Sequence, residues 1–255
     1  FNPEKMFYIF NNMYSNIIGS IVRELASNAI DANTEAKSDK PIIIELKGNN
    51  FIVKDFGKGI SPEVAENHYF AYLNSTKEGD DEQIGMWGLG AKCPLGYTDS
   101  LIVETIYNGI YYKYIQYKNE DSLPCYELIE TNKEENEIGT KITVPIKSID
   151  KKEFHNEMTN LIFNKNIYLK SDYKYIDNEI KIYEYKTFKL REIIQNKYRD
   201  RRDTFILLKD IVYPINNEKI NTNIVYDLPI GIKFDINELQ PTPTRENIYY
   251  TKESI

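Results

Sequence analysis

Over residues 14–32 the apolar residues Ile17, Ile18, Ile21, Val22, Leu25, Ala29 and Ile30 recur every three to four positions. This period predicts an amphipathic helix with one buried side. Two β-branched runs follow, at 41–46 and 50–55, joined by Lys47-Gly48-Asn49, and they predict a hairpin whose second strand ends at Asp55. Ser61-Pro62-Glu63 has the form of a helix start, with proline in the first turn. From 74 to 90 the chain is acidic, contains glycine and keeps no period, the pattern of a mobile loop. Three strands are then predicted at 101–106, 110–117 and 140–146, with turns at Gly109 and Gly139. Helix, hairpin, helix, loop and strands in this order predict an α+β sandwich.

After residues 148–150 the pattern restarts. It predicts a helix at 151–164, strands near 179–185, a charged helix near 189–200, and strands near 205–213 and 230–236. The expected division is a first domain at 1–147 and a smaller α/β domain at 148–255. No internal repeat, heptad array or low-complexity linker interrupts the chain.

Composition narrows the functional classes. With 255 residues, 41% of them hydrophobic, the chain has enough apolar material for two modest cores. The formal net charge of -7 provides no overall field drawing it to nucleic acid or anionic lipid, although a local basic groove remains compatible with that figure. The two cysteines, Cys93 and Cys125, lack metal-ligand spacing, and there is no signal peptide or long apolar run. A reducing, cytoplasmic compartment is the expectation. The opening at Phe1 and the charged close at Ile255 are read as those of a piece of something longer.

Four segments carry candidate chemistry. Glu24, Asn28 and Asp31 are spaced by four and three, so they share one stripe at the border of the first helix's apolar face. Such a stripe offers a carboxylate to activate water and an amide oxygen to ligate Mg²⁺ beside phosphate. Taken alone it is more often a solvated polar face. Asp55-Phe56-Gly57-Lys58-Gly59 ends a strand, where glycines permit tight turns and a carboxylate could accept from the exocyclic amine of adenine. Its bland alternative is an ordinary turn. The segment Gly85-Met86-Trp87-Gly88-Leu89-Gly90-Ala91-Lys92 is a glycine-rich turn before a predicted helix, suited to phosphates, with Ser75, Thr76 and Lys77 within loop reach. No strand precedes it, which excludes a dinucleotide fingerprint, and no G-x-x-x-x-G-K-[S/T] occurs anywhere in the chain. Finally, Gly139-Thr140 opens a strand whose hydroxyl could finish a base pocket.

In this order the segments ELASNAIDA, DFGKGI, GMWGLGAK and GTKITV resemble the four nucleotide-site boxes of the GHKL ATPases, the superfamily of gyrase, heat-shock chaperones, histidine kinases and MutL. The resemblance implies a Bergerat-type α/β sandwich that takes ATP and Mg²⁺, followed by a transducer-like domain at 148–255. It assigns the water-activating carboxylate to Glu24, the metal ligand to Asn28 and the adenine contact to Asp55, flanked by Gly57 and Gly59. Gly85, Gly88 and Gly90 would wrap the phosphates, Thr140 would complete the pocket, and residues 71–90 would be the lid. Histidine kinases of this superfamily lack the hydrolytic glutamate and need a phosphoacceptor histidine, whereas His68 and His155 here read as ordinary surface residues.

Within the superfamily, RELASNAIDA, NSTKEGDDEQIGMWGLGAKCPLGYTDS and PTPTRENIYYT are similar to phage rapid-lysis rIIA-like proteins. The expected activity is slow ATP hydrolysis driving a conformational or dimerisation switch with an unidentified protein partner. The alternatives are a MutL- or topoisomerase-like DNA machine, a chaperone-like ATPase, and an ATP-binding site without turnover.

Overall fold

The computed structural model describes residues 14–70, 90–121, 123–134, 137–161, 166–176, 178, 182–184, 186–191, 204–208, 211–215, 230–235, 238–242 and 246–249. The first helix, α1 (Ile17–Glu35), begins where Asn16 caps it, its side chain accepting from the Gly19 amide at 2.8 Å. It ends in a left-handed residue, Lys37 at φ 53°, where the Ser38 amide reaches back to the Asn33 carbonyl and the Lys37 amide to that of Thr34. This Schellman arrangement satisfies carbonyls that the helix end would otherwise leave open.

The hairpin is β1 (Ile42–Lys47) and β2 (Asn50–Lys54), closed by Gly48-Asn49 with Gly48 at φ 56°. A short helix, α2 (Pro62–Val64), starts at Ser61, whose hydroxyl caps the Val64 amide at 3.1 Å, and runs on as a π-helical turn, Ala65–Tyr69. A 3₁₀ helix, Gly90–Gly96, leads into β3 (Ser100–Tyr107) and β4 (Ile110–Lys118). Their turn has Asn108 and Gly109 both at positive φ, as a type I′ hairpin requires. Next come β5 (Pro124–Lys133), β6 (Gly139–Pro145), α3 (Lys151–Asn160) and β7 (Ile167–Ser171).

The strands from β1 to β7 form one seven-stranded sheet in the order β5-β4-β3-β6-β2-β1-β7. β7 joins it parallel to β1, with Ile44 opposite Leu169. α1 and α3 pack on this sheet and on each other. Their apolar sides, including Ile21, Leu25, Phe154 and Met158, meet Ile42, Ile44, Leu46, Phe51 and Val144 in one core. Each such buried side chain contributes about 1.5–3 kcal/mol of transfer free energy.

A second sheet combines β8 (Ile182–Glu184), β9 (Phe188–Arg191), β10 (Phe205–Leu208), β11 (Ile211–Pro214) and β12 (Ile230–Phe234) in the order β11-β10-β12-β9-β8. β11 touches α1, and Ile206, Leu208, Ile211, Tyr213, Leu239 and Ile248 join the same core. Residues 238–242 pair with residues 246–249, Thr242 donating to Asn247 and Tyr249 to Gln240. Glu246 ties this segment to the start of α1, its carboxylate accepting from the Asn16 amide and, at 2.9 Å, from the Ser15 hydroxyl.

The first sheet extends past residue 148, because β7 pairs with β1, and the change of sheet comes between Ser171 and Ile182. One expectation changes here. The helix expected near 189–200 is strand over Phe188–Arg191, where Phe188 and Leu190 alternate with Lys189 and Arg191 and pair with β12; residues 192–200 lie outside the described residues.

Candidate functional site

The C-terminal end and the middle of α1 organise the candidate site. At the C-terminal end, Asn33 is buried, accepts from the Phe56 amide at 2.7 Å and donates to the Lys40 carbonyl at 2.8 Å. It thereby fixes the turn after β2 against the helix. Gly57 sits so close that a Cβ there would lie 2.9 Å from that of Ala32. The glycine's missing side chain is thus used by the chain's own packing.

This turn presents Asp55, 8% exposed. One carboxylate oxygen accepts from the Gly57 amide at 2.9 Å and from the Thr140 amide at 3.0 Å, and the Asp55 amide donates to the Thr140 carbonyl. The carboxylate is therefore oriented by backbone, the most rigid support available to it. Burial pushes its pKa up to about 6, against the downward pull of the two amides and of Lys54. Because folding favours the neutral form, the stability this group contributes is complete below about pH 4 and is lost as pH rises through about 6, an effect on the order of 3 kcal/mol. In urea titrations of the nucleotide-free protein, Asp55→Asn should lose less stability than wild type between about pH 4 and pH 7. Parallel pH profiles would mean that the carboxyl titrates in its ordinary range.

Hydroxyls surround the carboxylate. Thr105 on β3 accepts from the Ile60 amide at 2.8 Å and lies 3.0 Å from the Thr140 hydroxyl, and both threonines are buried. Gly59 and Gly139, at φ 76° and 103°, keep the backbones in register: a Cβ on the first would lie 2.0 Å from the Ile106 carbonyl oxygen, and on the second 2.3 Å from that of Asp55. Tyr69, at the end of the π-helical turn, is half-buried with its hydroxyl out of solvent, and burial, with the nearby Asp55 charge, holds that hydroxyl well above the usual phenol range.

Along α1, Glu24 is 5% exposed and Asp31 9%, while Asn28 is half-buried. Neighbouring Arg23 pairs with Glu157 of α3 at 3.4 Å. The 3₁₀ helix beginning at Gly90, Ala91 and Lys92 packs against α1. It brings in Cys93, whose thiol is raised by burial and by the Glu24 charge; the Tyr14 hydroxyl is raised by the same kinds of cause, burial first. Glu24 therefore lies near Cys93, in the 3₁₀ helix that packs against α1. Ser75, Thr76, Lys77, Gly85, Gly88 and Leu89, with the rest of the expected lid, lie outside the described residues.

The structure thus brings Asp55, Gly57, Gly59 and Thr140 together at one end of α1 and sets Glu24, Asn28 and Asp31 along the same helix. From Glu24 to Asn33 the axial distance is about 13 Å. Among the described residues no three His, Cys, Asp or Glu side chains converge on a metal position. A divalent ion beside Asn28 would take most of its ligands from phosphate oxygens and water, the usual habit of Mg²⁺.

Asn33, Thr105 and Tyr69 were not among the residues expected from sequence. Thr105 had a signal, since alternation along 101–105 places it on the same buried side as Leu101 and Val103. His155 is not on the surface as expected: it is buried, its Nδ1 is 3.2 Å from the Ser171 hydroxyl, and its pKa is lowered by burial.

No family model and no curated protein matches the chain. Solved structures do. The ATPase region of Saccharomyces cerevisiae topoisomerase II bound to ICRF-187 (dexrazoxane) aligns with TM-score 0.61 and 16% identity, covering 92% of this chain and 78% of that one. Another structure of the same region gives 0.60 and 16%, covering 92% and 77%. The chain therefore has an α+β fold of two mixed sheets similar to that of a type II topoisomerase ATPase region. Among the described residues no helix is long and apolar enough to cross a membrane.

Proposed function

We propose that this chain binds ATP with Mg²⁺ and hydrolyses it slowly, using the nucleotide as a conformational or dimerisation switch. The observation that carries the reading is the backbone-held Asp55 carboxylate at one end of the helix that also bears Glu24 and Asn28. Topoisomerase II ATPase regions of the same fold support it.

Asp55 would accept a hydrogen bond from the adenine amine, with Thr140 alongside. Asn28 would hold the metal together with phosphate oxygens, and Mg²⁺ supplies charge neutralisation at the triphosphate. Glu24 would accept a proton from the attacking water as its oxygen bonds to the γ-phosphorus and the bond to the bridging oxygen of ADP breaks. Asp31, Gly57, Gly59, Ser75, Thr76, Lys77, Gly85, Gly88, Leu89, Gly90, Ala91 and Lys92 are proposed to surround the nucleotide, residues 71–90 as a lid. The second sheet is proposed as the transducer-like part.

Calorimetry tests the base contact. Wild type should bind ATP about tenfold or more tightly than GTP, because an ionised carboxylate has no donor for the guanine carbonyl, and Asp55→Asn should weaken ATP binding markedly. Equal affinity of wild type for the two nucleotides would remove Asp55 from that role.

The finer reading, a phage rapid-lysis rIIA-like protein, rests on the three longer strings that suggested it. The DNA-machine reading is favoured by the fold neighbours and opposed by the net charge of -7. DNA affinity falling steeply with salt would support it.

A further inference from the structure

The π-helical turn after α2 contains a polar group that the nucleotide reading above leaves unused. Tyr69 is half-buried, and its hydroxyl, which is out of solvent, has no hydrogen-bond partner among the described residues. Its ring packs edge-on against Phe70 at 5.0 Å, which in turn stacks on Tyr126 at 4.3 Å, so the phenol is held by an aromatic cluster. A buried hydroxyl left without a partner costs about 1–3 kcal/mol, and Phe would fill the same space without that cost. Asp55 is close enough for its charge to raise the Tyr69 hydroxyl.

The surrounding backbone donors are committed elsewhere. The amides of Gly57 and Thr140 go to Asp55, that of Phe56 to Asn33, and that of Ile60 to Thr105. A purine whose exocyclic amine is taken by Asp55 carries ring nitrogens beside that amine, and these need a donor. Asp55 as a carboxylate has none.

We propose that the Tyr69 hydroxyl is a second base-recognising group, donating to the N1 or N7 ring nitrogen beside the amine that Asp55 accepts. The inference rests on the ATP-binding reading. It makes the pocket read both a donor and an acceptor on the same edge of the base, which is a stricter test of adenine than a lone carboxylate applies. It also gives the π-helical turn a function, since that turn ends at the residue that would donate to the base.

Tyr69→Phe separates this role from a structural one, because the two predict opposite signs. Without nucleotide the variant should melt at the same temperature as wild type or higher, since it removes an unpaired buried hydroxyl. Its affinity for ATP should nevertheless fall about fivefold to tenfold, the size of one neutral hydrogen bond. The wild-type advantage should vanish with 1-deaza-ATP or with 7-deaza-ATP, whichever lacks the accepting nitrogen. Asp55→Asn, measured in parallel, keeps the two claims apart. If wild type binds ATP, Asp55→Asn weakens it and Tyr69→Phe does not, the Tyr69 role is overturned and the nucleotide site stands. If wild type binds no ATP, both fall. A nucleotide-free Tyr69→Phe protein that melts below wild type would also overturn the role, since the hydroxyl would then serve the fold.

Discussion

Glu24→Ala protein is expected to bind ATP and to turn it over about 10²-fold more slowly or worse, the usual cost of losing a general base. The carboxylate is buried on α1 and its charge is felt by the Cys93 thiol and the Tyr14 hydroxyl, so it sits within the fold. Deleting it also leaves space in a packed region. Glu24→Gln is the better-matched control, since it keeps the volume and removes only the basic oxygen. Both variants should lose turnover and keep affinity. Asn28→Ala should fail in the other way, with Mg²⁺-dependent affinity falling before chemistry is reached. Phosphate release and calorimetry on the same preparations distinguish the patterns. Full turnover by Glu24→Gln would assign the base elsewhere.

Gly59→Ala should cost several kcal/mol, a large share of the about 5–15 kcal/mol that holds a typical domain together. Two penalties combine there. At φ 76° an L-residue is strained, and the new Cβ would lie 2.0 Å from the Ile106 carbonyl oxygen, a backbone atom that cannot swing aside. Strand β3 would have to move away from the Asp55 turn, and Thr105, which holds the Ile60 amide, would move with it. Gly48→Ala provides the comparison. It has a positive φ of 56° but nothing within 4 Å of the added carbon, so only the conformational cost of about 1–2 kcal/mol applies. Urea denaturation of the two variants measures the difference. Similar midpoints would mean that the close approach of Gly59 to β3 is not a feature of the folded protein.

The first half of the fold was legible because its elements obey simple periods. Ile17 to Ile30 mark α1, Gly48 marks the hairpin, and Gly109 marks the β3–β4 turn. β5 escaped notice because an edge strand has little to bury: from Glu127 onward it is exposed, and Leu128 and Ile129 lie adjacent, not alternating. β7 escaped because its partner, β1, lies some 120 residues earlier, and parallel pairing leaves no local signal. Charged residues near 189–200 read as helix, yet Phe188 and Leu190 follow the strand period. In the site, the residues whose identity dictates chemistry could be named from sequence, as with Asp55 and Thr140. Asn33 and Tyr69 could not, since their importance comes from where a long-range fold puts an amide and a phenol. Buried polar positions of this kind become visible only when their partners, or the lack of them, are known.

The contact of Glu246 with the first residues of α1 makes one long helix answerable at both extremities. Its start is held from the far end of the chain, through Asn16 and Ser15, while its finish holds the Asp55 turn through Asn33. Thermodynamic reciprocity then applies to anything that engages residues 238–249. Suppose a second macromolecule grips that segment and loosens the Glu246 tether, changing nucleotide affinity by some factor. Nucleotide must change the affinity for that macromolecule by the same factor. A binder raised against the 238–249 segment would therefore be a sensor of occupancy at a site it never touches.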